Sequence, residues 1–381
     1  MKAIVVGGGV IGLAASIILA RAGVRTKCFD AMGFHDKKDS SYNLDSRVWA
    51  LGPKSLNLLS QIGLKKISGT SIKKINVFDF ASSASVNFSD YSSFLAKIVY
   101  AREIRNNLIQ VARETYGLEL VADSILKISR DKGQWNVYSS ESIFSSDFVV
   151  LAGGKTNFLN QMVGLDSINE PDEYEVLSVC VKFEKPHENE STQIFTPDGP
   201  IAILPIESPD KSQTSGVLVW TIPKKRLVAI KNQDGQAFQE CVSGIFENRF
   251  GKITLISEPV WSFASQSWLV DDSKEGLLAI GDSSHRILPF AGLGVNLGFA
   301  DVQSIQDVLE KVEVSGRNCA KVGRLVTLER RIFVQTIIVA MSWFDKIFRS
   351  ENNFAVMARG HAFRFVDRSK ILKNLFIGIA S

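Results

Sequence analysis

The strongest constraint on this chain lies at its very start. Lys2 to Val6 is a short apolar run, Gly7-Gly8-Gly9-Val10-Ile11-Gly12 follows, Leu13 to Ala22 reads as a helix, and Val24 to Asp30 reads as a second strand. Strand, G-x-G-x-x-G, helix and a strand closing on an acid together describe a βαβ unit that binds a dinucleotide. The three motif glycines have separate tasks. Gly7 permits the tight turn, Gly9 lets backbone N–H groups approach a pyrophosphate, and Gly12 lets helix and strand close up. The first helical turn offers unpaired N–H groups and the positive end of the helix dipole to the phosphates. Asp30 stands where it can accept hydrogen bonds from both hydroxyls of an adenosine ribose.

The far end of the chain points to the kind of dinucleotide. Gly276 to Asp282 is an apolar strand closing on Gly281-Asp282, and the run from Pro289 through Gly292, Gly294 and Asn296 opens another helix. A carboxylate directly after a strand can hold a ribityl hydroxyl. Gly292 and Gly294 let the backbone lie against a flat ring. The helix from about Val295 aims its positive end at the pyrimidine edge of a flavin, which turns anionic on reduction.

Composition fits a globular enzyme. The 381 residues, 45% hydrophobic and 22% charged, are enough for a large core and two intimately joined lobes. A net charge of +4 does not point to nucleic acid as a partner, and it is compatible with an anionic membrane surface. Cys28, Cys180, Cys241 and Cys319 show no C-x-x-C spacing, and His35, His187, His285 and His361 do not cluster with them. No metal site or disulfide framework is expected, and a reducing cytoplasm is the natural setting. With Ile4 to Val6 as the first core strand, no cleaved leader is expected there.

Beyond these motifs the chain resembles, nearly end to end, the FAD-dependent aromatic hydroxylases of ubiquinone biosynthesis, a branch of the p-hydroxybenzoate hydroxylase-like flavoprotein monooxygenases. Asp45-Ser46-Arg47-Val48-Trp49-Ala50-Leu51 is similar to the family's D-x-R-x-x-A-L segment, and Arg102 matches the arginine that opens its next helix. Thr196 to Pro205 and Val219-Trp220 resemble substrate-domain strands. Glu329-Arg330-Arg331, Phe348, Arg359-Gly360 and Leu372-Lys373-Asn374 fit the tail. The resemblance implies FAD held by Gly7, Gly9, Gly12, Asp30, Arg47, Arg102, Asp282, Pro289, Gly292, Gly294 and Asn296, with no metal. It implies NAD(P)H as electron donor, O2, and an electron-rich, polyprenylated phenol that gains a hydroxyl. Other quinone-biosynthesis proteins and the inner membrane surface are the implied partners. No catalytic side chain is assigned; His285, which the family more often places structurally beside Gly281-Asp282, is left unassigned.

The chain also departs from the family. The usual D-G-x-x-S-x-x-R after the central strand reads Gly153-Gly154-Lys155-Thr156-Asn157-Phe158-Leu159-Asn160, so Asp, Ser and Arg are missing. This bears on engagement of the pyridine nucleotide more than on FAD. Leu288 and Leu293 stand where the branch carries His and Gln. Two other readings therefore stand beside the hydroxylase: a weakened or accessory flavoprotein of a quinone-biosynthesis assembly, and a same-fold flavin oxidoreductase with another substrate.

The expected fold class is α/β, a Rossmann-like FAD-binding domain (1–80, 100–165 and 271–320) interleaved with an antiparallel-sheet substrate domain (81–99 and 166–270), then a C-terminal helical region (321–381). The Ser and Lys bias of Asp36 to Ser41 suggests a surface loop. Ile332 to Phe348 is apolar but interrupted by Gln335, Asp345 and Lys346, shorter than a membrane span requires. Two readings stand: a helix packed on the core, or an apolar rim touching a membrane or partner, with Arg330, Arg331, Lys346 and Arg349 near anionic headgroups.

Overall fold

Lys2–Val6 is apolar along its length, with Ala3 to Val6 all buried, as a strand covered on both faces must be. In the computed structural model it founds a six-stranded sheet. Arg25–Phe29 and Phe148–Leu151 flank it in parallel, with Val5 opposite both Cys28 and Val150. Leu118–Val121 and Leu277–Ala279 extend the parallel sheet, and Ser273–Lys274 closes one edge antiparallel. The structure describes residues 1–35, 45–89, 94–154, 157–171, 173–207, 212–232, 235–312, 319–350 and 352–380, so the expected loop at Asp36 to Ser41 lies outside the described residues.

The helices, in chain order, are α1 (Val10–Arg21), α2 (Pro53–Gln61), α3 (Ala101–Glu114), α4 (Asn157–Met162), α5 (Lys224–Lys231), α6 (Gly235–Phe250), α7 (Gly294–Lys311), α8 (Cys319–Arg349), α9 (Asn353–Arg368) and α10 (Lys370–Ala380). On one face of the sheet, Ala3, Val5, Cys28 and Val150 pack with α1, α2, α3 and α7. On the other, Ile4, Val6, Val149 and Leu151 meet Leu159 and Val163 and the inner residues Ile128, Trp135 and Val137 of a small antiparallel sheet. α1 begins at Val10, three residues before the expected start, because Gly9 in an extended conformation (φ −71°, ψ 178°) already serves as its N-cap.

The second large sheet has eight strands. Tyr174–Phe183, Glu190–Thr196, Gly199–Ile206 and Ser215–Pro223 form its antiparallel centre. Alternation divides their side chains. Leu177, Val179, Ile201, Leu218 and Trp220 bury against α5 and α6. On the opposite face Cys180, Leu204, Val217 and Val219 meet Val48, Ala50, Ile72 and Ile98 of a small three-stranded antiparallel sheet. One assignment needs correcting. Lys74–Asp79, placed with the cofactor lobe by the 1–80 boundary, lies in this sheet and pairs parallel to Glu190–Thr196, with Val77 opposite Gln193. Its alternating Ile75 packs against the Cys180–Val217 cluster. The sheet is therefore mixed rather than wholly antiparallel.

The Ile332 to Phe348 segment belongs to the long helix α8, and each reading fits one of its faces. Val334, Ile337 and Ile338 are buried against Ile287, Leu293 and Leu297. Leu325, Leu328, Ile332, Val339, Trp343 and Ile347 are exposed along a single stripe. Arg330 turns inward to Asp301 at 2.9 Å and Arg349 to Asp345 at 2.5 Å, so neither is a free headgroup contact. Arg359 of α9, 5% exposed, donates to the terminal carbonyls of Ile347, Phe348 and Ser350 and pairs with buried Asp79 at 3.2 Å. It thus caps α8 and ties the tail to the second sheet. Among the described residues no helix is long and apolar enough to cross a membrane.

Candidate flavin site

The fingerprint glycines meet different constraints. Gly7 has φ +115°, and a Cβ there would sit 2.4 Å from the Ala152 carbonyl. A Cβ on Gly12 would sit 1.8 Å from the Gly7 carbonyl, so both glycines are required by the protein itself. Gly8, given no task by the motif, is squeezed as well: its Cβ would lie 2.5 Å from the Phe34 ring and 2.7 Å from Asp30. Gly9 differs. Its backbone angles suit any residue, and a Cβ there meets nothing within 4 Å. The protein leaves Gly9 room at the N-terminus of α1, as a cradle for a pyrophosphate would.

Asp30 completes this half of the site. Its carboxylate accepts from the Gly8 N–H at 2.7 Å and the Met32 N–H at 2.9 Å, which holds it against the loop. Arg105, which the motifs did not single out, donates to the Gly8 carbonyl at 3.2 Å and the Gly33 carbonyl at 2.8 Å. Its signal in the sequence was its place one turn after Arg102 on the same helix. Arg47 and Arg102 come to one end of a short ladder, where the Ala101 N–H donates to the Arg47 carbonyl. Asp45 stands beside both, 3.7 Å from the Arg102 side chain and accepting from the Arg47 N–H.

The second motif closes on the first. Asp282 is exposed on the turn after Leu277–Ala279, and a Cβ on its neighbour Gly281 would lie 3.3 Å from Ile11 of α1. Pro289 is exposed, Gly292 adopts φ +62°, and Gly294 starts α7 with nothing within 4 Å of a Cβ. The helix starts at α1 and α7 are thus both brought to this side of the sheet. The Asn296 carboxamide is wholly engaged by the protein. It accepts from the Gly52 N–H and Ser55 hydroxyl and donates to the Ala50 and Gly292 carbonyls. It therefore fixes the Gly292 turn against Ala50.

His285 is engaged by a buried carboxylate. Its Nε2 lies 2.7 Å from Asp301 Oδ2, which also accepts from the Gly281 N–H at 2.9 Å, while Asp301 Oδ1 pairs with Arg330. Burial opposes charge on the imidazole, but the Asp301 carboxylate outweighs it and the net shift of His285 is upward. For Asp301 burial acts upward, and His285 and Arg330 more than reverse it. This buried cluster locks the Gly281-Asp282 turn to α7 and α8.

The departures also find their places. Asn160, 2% exposed, donates to the Ser283 carbonyl at 2.8 Å, and the Ser283 hydroxyl reaches the Gly154 carbonyl at 3.4 Å. The altered loop is thereby tied to the Asp282 turn. Leu288 and Leu293 point into apolar clusters, with Tyr174 and Phe290 and with Val334 and Ile337 respectively. Among the described residues no group of His, Cys, Asp and Glu could hold a metal.

Residues 1–319 match the model of a family described as an FAD binding domain. The human ubiquinone biosynthesis monooxygenase COQ6, mitochondrial, is 24% identical, covering 99% of this chain and 92% of its own. The 3-demethoxyubiquinol 3-hydroxylase of Escherichia coli is 25% identical, covering 88% of this chain and 86% of its own. Among solved structures, Klebsiella pneumoniae HpxO complexed with FAD and uric acid has a TM-score of 0.74 at 14% identity, covering 100% of this chain and 96% of that one. CmlS, a flavin-dependent halogenase, has 0.73 at 15%, covering 98% and 69%. The shared fold hosts several chemistries, so it does not select one.

Proposed function

The chain belongs to the FAD-binding domain family as an FAD-dependent monooxygenase, and on that premise we propose that it hydroxylates the ring of a polyprenylated phenol in ubiquinone biosynthesis, with O2 and NAD(P)H as co-substrates. The observation that carries this reading is the open cradle at Gly9, in a chain whose relatives over nearly its whole length include ubiquinone hydroxylases.

The α1 N-terminus and Gly9 would hold the pyrophosphate, Asp30 the adenosine ribose and Asp282 the ribityl chain. The Gly292 to Gly294 backbone would approach the ring. Arg47 and Arg102 would offset phosphate charge, and Pro289 would help to hold the ring. When bound, FAD supplies the oxygen activation and electron transfer that side chains lack. The protein's part is to bind, orient and keep the site dry, a task suited to the apolar Leu204, Val217 and Val219 face against Val48 and Ala50.

The lipid character of the substrate gives the α8 stripe a use. From Lys321 onward eleven Lys and Arg stand against four Asp and Glu, whereas the whole chain has 44 against 40. A basic region bearing the exposed Ile332 and Trp343 suits an anionic membrane surface. The missing Asp, Ser and Arg around Gly153, Asn157 and Asn160 favour a second reading, in which a partner protein assists flavin reduction. The test is a strain lacking the gene. Accumulation of a prenylated phenol one hydroxyl short of the next intermediate, cleared by the wild-type chain, supports the proposal; an unchanged quinone profile overturns it.

A further inference from the structure

A cavity of about 20 Å³ lies between α8 and the paired strands Ser267–Leu269 and His285–Arg286, where Trp268 stands opposite His285. That volume suits one water molecule and nothing larger. Trp268, Val334 and Ile338 supply apolar walls. Four polar side chains, Asp272, Ser284, His285 and Thr327, line it as well. The exposed Arg331 and Gln335 mark its side toward solvent.

His285 is 4% exposed, and its Nε2 is taken by Asp301. Its buried Nδ1 has no hydrogen-bond partner among the described residues. A buried polar atom left unbonded is costly, so a partner from outside the chain is called for. With the Nε2 proton given to Asp301, Nδ1 of the neutral ring is an acceptor. The Asp272 carboxylate is an acceptor too, already taking the Thr327 hydroxyl at 2.5 Å and the Ser284 hydroxyl at 3.3 Å. Two acceptors cannot bond each other, and a small molecule with two O–H donors can bond both. Charge narrows the choice further. Asp272 opposes an anion in this space, and Arg331, paired with Asp271 at 3.4 Å, opposes a cation.

We infer that this cavity is a binding site for one water molecule, which bonds both His285 Nδ1 and the Asp272 carboxylate and gives the buried His285–Asp301 pair its proton route to solvent. A proton arriving from solvent is held by Asp272. Asp272 gives it to the water oxygen as the water passes one of its own protons to Nδ1. The carboxylate and the water are restored, and His285 becomes an imidazolium against Asp301. Burial, with Asp301 adding to it, pushes the Asp272 carboxyl upward against the Thr327 bond, the His285 charge and the Ser284 bond. That brings it toward the range of an imidazole and suits it to hand a proton on. The other charged groups around His285 are Arg330, on Asp301 Oδ1, and Asp282 in the turn. Because Asp301 Oδ2 also holds the Gly281 N–H, the route lets external pH set the charge beside the Asp282 turn. His285 and Asp272 are positioning residues, and the site goes beyond the proposed function without depending on it.

The test is NMR of the whole protein with isotopically labelled histidine, which gives only four imidazoles to separate. His285→Gln identifies the His285 signal by its loss. The wild type is expected to show magnetisation transfer from water to the proton on His285 Cε1, beside Nδ1. Through a pH titration that proton should give one signal that moves continuously, because exchange through the water is fast. Asp272→Asn should split it into two signals, one for each protonation state, that trade intensity. Loss of a nearby charge alone would move the midpoint and leave a single signal. If Asp272→Asn does not fold, Val334→Leu puts one methylene into the cavity, and expulsion of the water should give the same pair of signals. Absent transfer from water in the wild type, or a single moving signal in the variants, overturns the inference. Failure of the FAD reading is separate: a chain that takes up no flavin would still show the water contact and the split.

Discussion

Gly9→Val separates a glycine kept for a ligand from one kept for the fold. At Gly9 the backbone is extended and a Cβ meets no atom within 4 Å, so the larger side chain adds no clash within the protein. The valine methyls instead occupy the approach to the α1 N-terminus. Each charge-assisted hydrogen bond lost there is worth about 1.5–3 kcal/mol. Loss of two therefore weakens FAD binding by about 3–6 kcal/mol, two to four orders of magnitude. Gly12→Val is the contrast, since its Cβ begins 1.8 Å from the Gly7 carbonyl and the loop has to move. Flavin content after purification, FAD titration by fluorescence quenching and thermal melting of the apoproteins read the three quantities. Gly9→Val is expected to melt like wild-type apoprotein and bind FAD at least a hundredfold more weakly, whereas Gly12→Val melts lower. Wild-type FAD affinity in Gly9→Val, or a melt as low as that of Gly12→Val, would mean that Gly9 is not kept for a ligand.

The His285–Asp301 pair gives a pH signature. His285 is shifted above its ordinary 6.5, so its contribution is complete below 6.5 and fades as pH rises through the elevated value. Asp301 is shifted below its ordinary 3.8, so its contribution is complete above 3.8 and fades as pH falls through the depressed value. Denaturant unfolding should show His285→Gln less stable than wild type by about 3–5 kcal/mol between these limits, with the gap narrowing at alkaline pH; a gap independent of pH contradicts the pairing. Asn160→Arg, the change that restores the family's residue, should destabilise the protein rather than speed flavin reduction, because the site is 2% exposed and bonded to Ser283; faster stopped-flow reduction in a stable variant would reverse that expectation. Ile332→Glu with Trp343→Glu should keep FAD and fold while releasing the protein from anionic vesicles, each apolar side chain contributing up to about 1.5–3 kcal/mol. Phe344→Glu should instead damage folding, since its ring lies 5.0 Å from Phe195 and 4.3 Å from Phe348; vesicle binding unaltered by the double change would remove the lipid role of the stripe.

Local periodicity made much of this architecture legible. Ala3 to Val6 could only be a doubly covered strand, and Gly7 to Gly12 could only be a turn into a helix, because both signals lie within a few residues. Lys74–Asp79 was harder. Its pattern declares a half-buried strand, but its partner Glu190–Thr196 is more than one hundred residues away and leaves no local trace. The same holds at the site. The carboxylates Asp30 and Asp282 follow strands and could be read, while Gly8 and Arg105 owe their tasks to Phe34, Asp30 and Gly33 packed around them. Asn296 was legible as important, but the four bonds of its carboxamide to Ala50, Gly52, Ser55 and Gly292 depend on segments far apart in the chain. Asp272 and Thr327 lie 55 residues apart, and only the fold brings them together.

We propose that the site spanning Gly9, Asp30 and Asp282 holds FAD for oxygen insertion into a phenol ring. The most direct measurement is turnover of the accumulated prenylated phenol by FAD-loaded protein, with NADH or NADPH and isotopically labelled O2, read by mass spectrometry. The product is expected to carry one labelled oxygen atom, and none is expected to form with Gly9→Val protein. Unlabelled product, or labelled product in equal amount from the Gly9→Val variant, would contradict it.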